Sequence, residues 1–288
     1  MRIGISDPSA HTGSVYPQPE MRIAGTPPTP PAPLRIRVQG SSSDGPPPVP
    51  SGRSQPVRYE ILEMTMMGRK GGGCREENQD ALLSRRMMHD GREALLCAVA
   101  DGVTRCPDGG GVARYLVERH LASDPVFGDG EEAAPALERY LRSVNTLFYE
   151  ECAAEPEMLE SACTLSVGVI EQATAHCFWV GDSPIFFAER AGDAFRCQQL
   201  SKPDLYGRLL VDGFGAHAPF ELKRVRVDFA VGDVLVLATD GVANSVEEFA
   251  YWIDHFGPTQ RMIDAMEEEI RGQEFYDDAS LVMIRRVA

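Results

Sequence analysis

Leu95-Leu96-Cys97-Ala98-Val99-Ala100-Asp101-Gly102 is an apolar run that stops abruptly on a carboxylate and a glycine. Its length and lack of polar interruption predict a buried strand over Ala94–Ala100. The same pattern returns twice. Val234-Leu235-Val236-Leu237-Ala238-Thr239 ends on Asp240-Gly241, and Cys177-Phe178-Trp179-Val180-Gly181 ends on Asp182. Asp-Gly after a strand is ordinarily just a turn. Three buried strands that each end in a carboxylate suggest more. Lying side by side, they would bring those carboxylates to one rim, where anion repulsion is offset by bound cations.

Outward from these runs, short β-like segments recur at Val57–Met67, Ala162–Ile170, Ala175–Val180, Pro184–Ala188, Glu221–Phe229 and Leu281–Val287. Helical stretches fall between them at Gly111–Leu121, Glu131–Glu151, Val246–Phe256 and Thr259–Arg271. In the second, Leu137, Leu141, Val144 and Phe148 repeat at helical spacing. In the last, Met262, Ile263, Met266 and Ile270 share one side. Strands in groups separated by helix pairs, without strict βαβ alternation, predict an α+β fold with antiparallel sheets and helices on their outer faces.

The chain has 288 residues, 43% of them hydrophobic, enough for a substantial core. Residues 1–56 are different in kind. They hold 13 of the 21 prolines, densest at Pro27-Pro28-Thr29-Pro30-Pro31-Ala32-Pro33 and Gly45-Pro46-Pro47-Pro48, and read as a disordered Pro-rich N-terminal segment. Its PxxP spacings would suit an SH3-like partner; the plainer reading is a flexible leader or a misplaced start. Residues 57–288 form the folded domain. The formal net charge of −15 argues against broad binding to nucleic acid or anionic membrane. No secretory signal and no membrane span are expected, so the protein is read as cytoplasmic and monomeric. Seven cysteines without CxxC spacing read as reduced core thiols, not a disulfide framework or a zinc site.

Two further acidic positions stand at the start of strands, Asp80 in Asn78-Gln79-Asp80-Ala81 and the pair in Asp277-Asp278-Ala279-Ser280. The order Asn-Gln-Asp-Ala, Ala-Asp-Gly, Val-Gly-Asp-Ser, Thr-Asp-Gly and Asp-Asp-Ala-Ser resembles the signature motifs of the protein phosphatase 2C family in its compact bacterial-like form. The resemblance covers roughly residues 60–287 and rests on the order and spacing of the five motifs together. It implies a four-layer αββα sandwich: two antiparallel central sheets flanked by helices, with a two-metal site at one end.

Carried over motif by motif, the resemblance implies that Asp101 bridges two cations and that Gly102 offers its backbone carbonyl. Asp240 and Asp277 would ligate one metal, and Asp80 would act through metal-bound water. Asp182 would help hold a third, weaker cation with Asp240, and Asp278 would be a hydrogen-bonding neighbour. Mn²⁺ or Mg²⁺ suits such an all-oxygen donor set. Arg75, five residues before Asp80, takes the place of the phosphate-binding arginine, whose planar fork can hold two phosphoryl oxygens. The implied substrate is a phosphorylated protein. The implied reaction is direct hydrolysis of phosphoserine or phosphothreonine by a metal-bridged water, with no phosphoenzyme.

The pattern is broken in places. After Gly102 the family commonly has a glycine pair; here Val103-Thr104-Arg105-Cys106-Pro107-Asp108 comes before Gly109-Gly110-Gly111, and a histidine found in many eukaryotic relatives is replaced by Val103. Gly-Asp-Ser-Arg becomes Gly181-Asp182-Ser183-Pro184, and between Leu200 and Glu221 only Asp212-Gly213-Phe214-Gly215 resembles the family's flap. These departures, with the Pro-rich segment, motivate an alternative: a catalytically weak or inactive pseudophosphatase acting as a phosphopeptide-binding adaptor. Other phosphate chemistries lack their residues. His176-Cys177 opens like the cysteine-phosphatase signature HCx5R, but the arginine position is Ser183, and there is no GxxxxGK[ST] or HExxH. His89, His120, His217 and His255 show no metal spacing and read as surface or core residues.

Overall fold

The computed structural model describes residues 57–70, 73–74, 77–89, 91–123, 131–206, 209–217, 220–245 and 248–287. The Pro-rich segment, with its SH3-like expectation, and Arg75 lie outside them.

The chain opens with β1 (Tyr59–Met66), a short hairpin of β2 (Arg69–Lys70) and β3 (Gly73–Cys74), then β4 (Asp80–His89) and β5 (Arg92–Asp101). α1 (Gly109–Arg114) continues as a π-helical stretch through Leu121, followed by α2 (Ala133–Glu151) and the single turn α3 (Pro156–Leu159). Next come β6 (Leu165–Glu171), β7 (Thr174–Val180), β8 (Ile185–Ala191), β9 (Ala194–Gln199) and the small hairpin β10 (Leu205–Tyr206) with β11 (Leu209–Leu210). The domain closes with β12 (Lys223–Asp228), β13 (Val234–Ala238), α4 (Asp240–Ser245), α5 (Phe249–Phe256), α6 (Gln260–Gly272) and β14 (Ala279–Arg286).

Two five-stranded antiparallel sheets result, in the orders β1-β14-β13-β8-β9 and β12-β7-β6-β5-β4. Successive side chains on a strand point to opposite faces, so a strand buried on both sides is apolar throughout. On β5, Leu95, Cys97 and Val99 enter the core between the sheets, where they join Leu235 and Leu237 of β13 and Val282 and Ile284 of β14. The alternate set Ala94, Leu96, Ala98 and Ala100 faces outward onto α1, the π-helical stretch and α2. The opposite faces of β13 and β14 lie under α5 and α6. This is the expected four-layer αββα sandwich. The helical spacing is also realised: Leu137, Leu141, Val144 and Phe148 of α2 are fully buried, as are Met262, Met266 and Ile270 of α6. Burying each such side chain contributes about 1.5–3 kcal/mol.

The structure departs locally from the sequence reading. The helix expected over Val246–Phe256 begins only at Phe249, and a separate short helix outside the sequence reading precedes it. α4 starts at Asp240 itself, and α5 follows Glu248, whose φ of 49° is left-handed and cannot lie inside a helix. The Gly111–Leu121 helix begins earlier, at Gly109, because Asp108 accepts the Gly111 amide (2.8 Å) and caps it there. β9 is an edge strand outside the sequence reading; its alternation is shallow, with half-buried Phe195 and Cys197 set against exposed Ala194 and Arg196. Among the described residues Cys97, Cys152, Cys163 and Cys177 are buried free thiols, and burial raises the pKa of each. No described helix is long and apolar enough to cross a membrane.

Candidate metal centre

The strand ends place the acidic residues together at one end of the sandwich. In the β4–β5 ladder, Asp80 at the start of one strand pairs directly with Asp101 at the end of the other. The Asp101 backbone is fixed from the neighbouring segment: its amide donates to Thr164 Oγ1 (3.0 Å), and its carbonyl accepts the Thr164 amide (2.8 Å). From the second sheet, β13 delivers Thr239 and Asp240. The Thr239 hydroxyl donates to Asp80 Oδ2 (2.8 Å) and accepts the Ser280 amide (2.9 Å), which ties the ends of β13 and β14 to β4.

Asp80 is buried, whereas Asp101, Asp182, Asp240 and Asp277 are half-buried. Burial raises the Asp80 pKa to about 7, despite hydrogen bonds from Thr239 and Ser280 that lower it. Asp101 is raised well above the usual carboxylate range, first by burial and then by the charges of Asp80, Asp240 and Asp277. Asp240 is raised by burial and by Asp277; it also shares a hydrogen bond with Asp101 and accepts one from Asn244 Nδ2 (3.2 Å). Asp182 is raised by burial and by Asp240, which puts it at the margin of the group.

Among the described residues, no three His, Cys, Asp or Glu side chains stand close enough to form a ready-made metal cage. Burial first and mutual repulsion second nevertheless push the carboxylates of Asp80, Asp101 and Asp240 upward in pKa, and Asp101 and Asp240 are hydrogen-bonded to each other. Asp80 Oδ1 is buried without a hydrogen-bond partner. A buried, unsatisfied carboxylate oxygen among mutually repelling carboxylates fits a hard divalent cation with oxygen ligands.

Asp278 belongs to the scaffold. It is 2% exposed, and its carboxylate accepts the amides of Gly68 (2.6 Å) and Gln79 (3.0 Å), which joins the end of β1 to the approach to Asp80. Gly241 is required by close approach, since a Cβ there would fall on the Asp278 carbonyl oxygen. The altered loop after Gly102 also closes onto the site. A Cβ on Gly109 would stand 2.6 Å from the Val103 amide nitrogen, and one on Gly102 would overlap the Gly109 backbone. The displaced glycines thus return to pack against Gly102, while Thr104 and Arg105 point outward, exposed. The remnant at 212–215 is structural too: Phe214 is fully buried and bridges to Cys163.

Thr164, Thr239, Asn244 and Ser280 were not singled out from the sequence. Thr239 left a signal, a polar residue ending the apolar β13 run immediately before Asp240.

Fold and carboxylate rim together define a phosphatase-type αββα sandwich. The model of the family described as protein phosphatase 2C matches residues 73–275, and the chain belongs to that family. Its enzyme class is accordingly serine/threonine protein phosphatase. Similar solved structures include the catalytic domain of the serine/threonine protein phosphatase PstP in complex with two manganese ions (17% identity, 81% of this chain and 99% of that chain covered, TM-score 0.62). The S. agalactiae serine/threonine phosphatase matches at 18% identity over 80% of this chain and 100% of that one, TM-score 0.65. PppA of Pseudomonas aeruginosa, described as a key regulatory component of T6SS, matches at 18% identity over 79% and 97%, TM-score 0.61. At such identities the likeness is one of fold. Comparison with curated protein sequences finds no match.

Proposed function

We infer that the chain hydrolyses phosphoserine and phosphothreonine in proteins at a divalent-cation centre, with residues 57–288 as the catalytic unit. The observation that carries this reading is the meeting of Asp80, Asp101, Asp240 and Asp277 at one rim, with Asp80 Oδ1 buried and unsatisfied. Asp101, Asp240, Asp277 and the Gly102 carbonyl are the proposed direct ligands. Asp80 contributes through water, and Asp182 with Asp240 forms a weaker third site. Mn²⁺ or Mg²⁺ matches the oxygen donor set, and the manganese-bearing PstP domain supports the choice.

When bound, such cations supply Lewis acidity to a water nucleophile and to the phosphoryl oxygens. The chain's own residues orient and hold. Thr239 fixes the Asp80 carboxylate, Thr164 fixes the Asp101 backbone, and Asp278 ties the approach to Asp80 onto β1. Arg75, by its place in the motif, is assigned to grip the phosphoryl group through its two-pronged donor face.

The test is release of phosphate from phosphoserine and phosphothreonine peptides by the purified full chain, with and without Mn²⁺ or Mg²⁺. Metal-stimulated release that disappears in Asp101→Asn is the expected result. Folded protein that releases no phosphate with either metal would refute the reading.

A further inference from the structure

Beside the metal centre, on the outer layer of the sandwich, α5 and α6 leave an open groove of about 630 Å³. Its floor is aromatic. Trp252 and Phe256 stack at 5.4 Å and 17°, and Tyr251, 54% exposed, stands at the rim. Its walls are acidic: Glu248 and Glu269 line it, Glu268 lines the adjoining hollow that shares Trp252, Phe256 and Glu269 with it, and no lysine, arginine or histidine lines either among the described residues. At one end it reaches Asn244, whose side chain donates to Asp240 of the metal centre.

These features select a chemistry. An aromatic face attracts a cation through its quadrupole, and the planar, weakly hydrated guanidinium suits stacking better than a compact ammonium. The groove's own surroundings already make this contact, since Arg261 lies over the Phe256 ring at 5.7 Å. Trp252 lines the groove together with Glu248 and Glu269, carboxylates of the kind that meet the donor edge of a guanidinium. Glu248 adds a further indication. It holds a left-handed backbone conformation, and its side chain makes no capping hydrogen bond to α5 although it stands at the cap position.

We propose that the α5–α6 groove docks an arginine-bearing segment of the phosphoprotein substrate, away from the phosphorylated residue. The proposal rests on the phosphatase reading for the identity of the partner. Charge complementarity carries it: the charged side chains among the described lining residues are all acidic, and at its Asn244 end the groove leads to Asp240. The docked segment would raise the local concentration of the phosphorylated residue at the metal centre, an effect expressed in KM.

The experiment uses the full chain and two phosphothreonine peptides, identical except that a pair of arginines outside the phosphosite is replaced by alanines in one. Binding is read with the unphosphorylated versions in EDTA by tryptophan fluorescence. Trp179 is buried and Trp252 lies in the groove, so Trp252→Phe identifies the source of any change. The arginine peptide should shift the emission, and Glu268→Lys/Glu269→Lys should weaken its binding about five- to tenfold. In turnover, the preference in kcat/KM for the arginine peptide over the alanine peptide should lie in KM and vanish in the same variant. Both glutamates are exposed on α6, so the variant should keep the wild-type circular dichroism spectrum and melt.

Equal binding of both peptides, or binding untouched by the charge reversal, would overturn the proposal, the former in favour of a purely apolar occupant. Arginine-dependent binding without any KM preference would overturn the assignment to substrate. A glutamate-dependent fluorescence response with no turnover of either peptide would refute the phosphatase reading and leave the arginine groove standing.

Discussion

Thr239→Val removes one hydroxyl and keeps the side chain's shape, so it isolates what that hydroxyl holds. Thr239 Oγ1 donates to Asp80 Oδ2 at 2.8 Å and accepts the Ser280 amide at 2.9 Å. Both partners are buried, and the other oxygen of Asp80 already lacks a hydrogen bond. The substitution therefore strands the buried Ser280 amide, at about 1–3 kcal/mol, and takes from Asp80 one of its hydrogen bonds, worth about 1.5–3 kcal/mol to a charged group, or about 2.5–6 kcal/mol together. That is a large part of the roughly 5–15 kcal/mol that keeps a domain folded. At about 2–4 °C per kcal/mol for a domain of this size, the melting temperature should fall by roughly 10 °C. The assay is thermal and urea denaturation followed by circular dichroism in EDTA, with Thr239→Ser as the control that keeps the hydroxyl. Thr239→Ser should recover most of the loss. A Thr239→Val melt within about 2 °C of wild type would refute the idea that this hydroxyl joins the two sheets at the metal centre.

Other consequences follow from the same geometry. Asp80 titrates at about 7 in the folded chain and at its ordinary 3.8 when unfolded; between those values the unfolded state binds fewer protons, so stability without divalent cations should fall as pH rises from about 4 to 7. A urea titration in EDTA across that range checks the sign, and a rise in stability with pH would contradict it. Asp101→Asn removes a charge that burial and three other aspartates disfavour, so it should raise the EDTA melting temperature at pH 7.5 while cutting Mn²⁺-dependent turnover by about 100-fold or more. Gly241→Ala drives a methyl into the Asp278 carbonyl and should destabilise by about 3 kcal/mol. Gly272→Ala meets nothing within 4 Å and should stabilise by about 0.5 kcal/mol, so parallel denaturation of the two tests whether the tight approach at Gly241 is real.

What the sequence made legible has a common physical origin. β5, β13 and β14 are covered on both faces, so each is an unbroken apolar run whose end is obvious, and the aspartates at or beside those ends stand out against it. α2 and α6 present one face to the sheets, and their spacing was readable for the same reason. β9 has no fully buried side chain and β10 and β11 are two residues each, so none carries an apolar pattern long or strong enough to stand out.

The pieces that complete the site were hidden for a different reason. Thr164, Thr239 and Ser280 act through hydrogen bonds to residues 41 to 159 positions away, and such pairing has no signature along the chain. The loop after Gly102 shows the point most clearly. In sequence, glycines displaced to 109–111 look like a departure that endangers the site. In space, Gly102 and Gly109 meet backbone to backbone, Asp108 caps α1, and Ser161 Oγ accepts the Asp108 amide at 2.7 Å. What the fold requires there is a close passage of two backbones, and a glycine several residues late satisfies it as long as the intervening residues loop outward. Thr104 and Arg105 do so. The divergence therefore falls on the solvent side of the loop, where it can alter which substrates approach, while the backbone that positions Asp101 and Gly102 keeps its support.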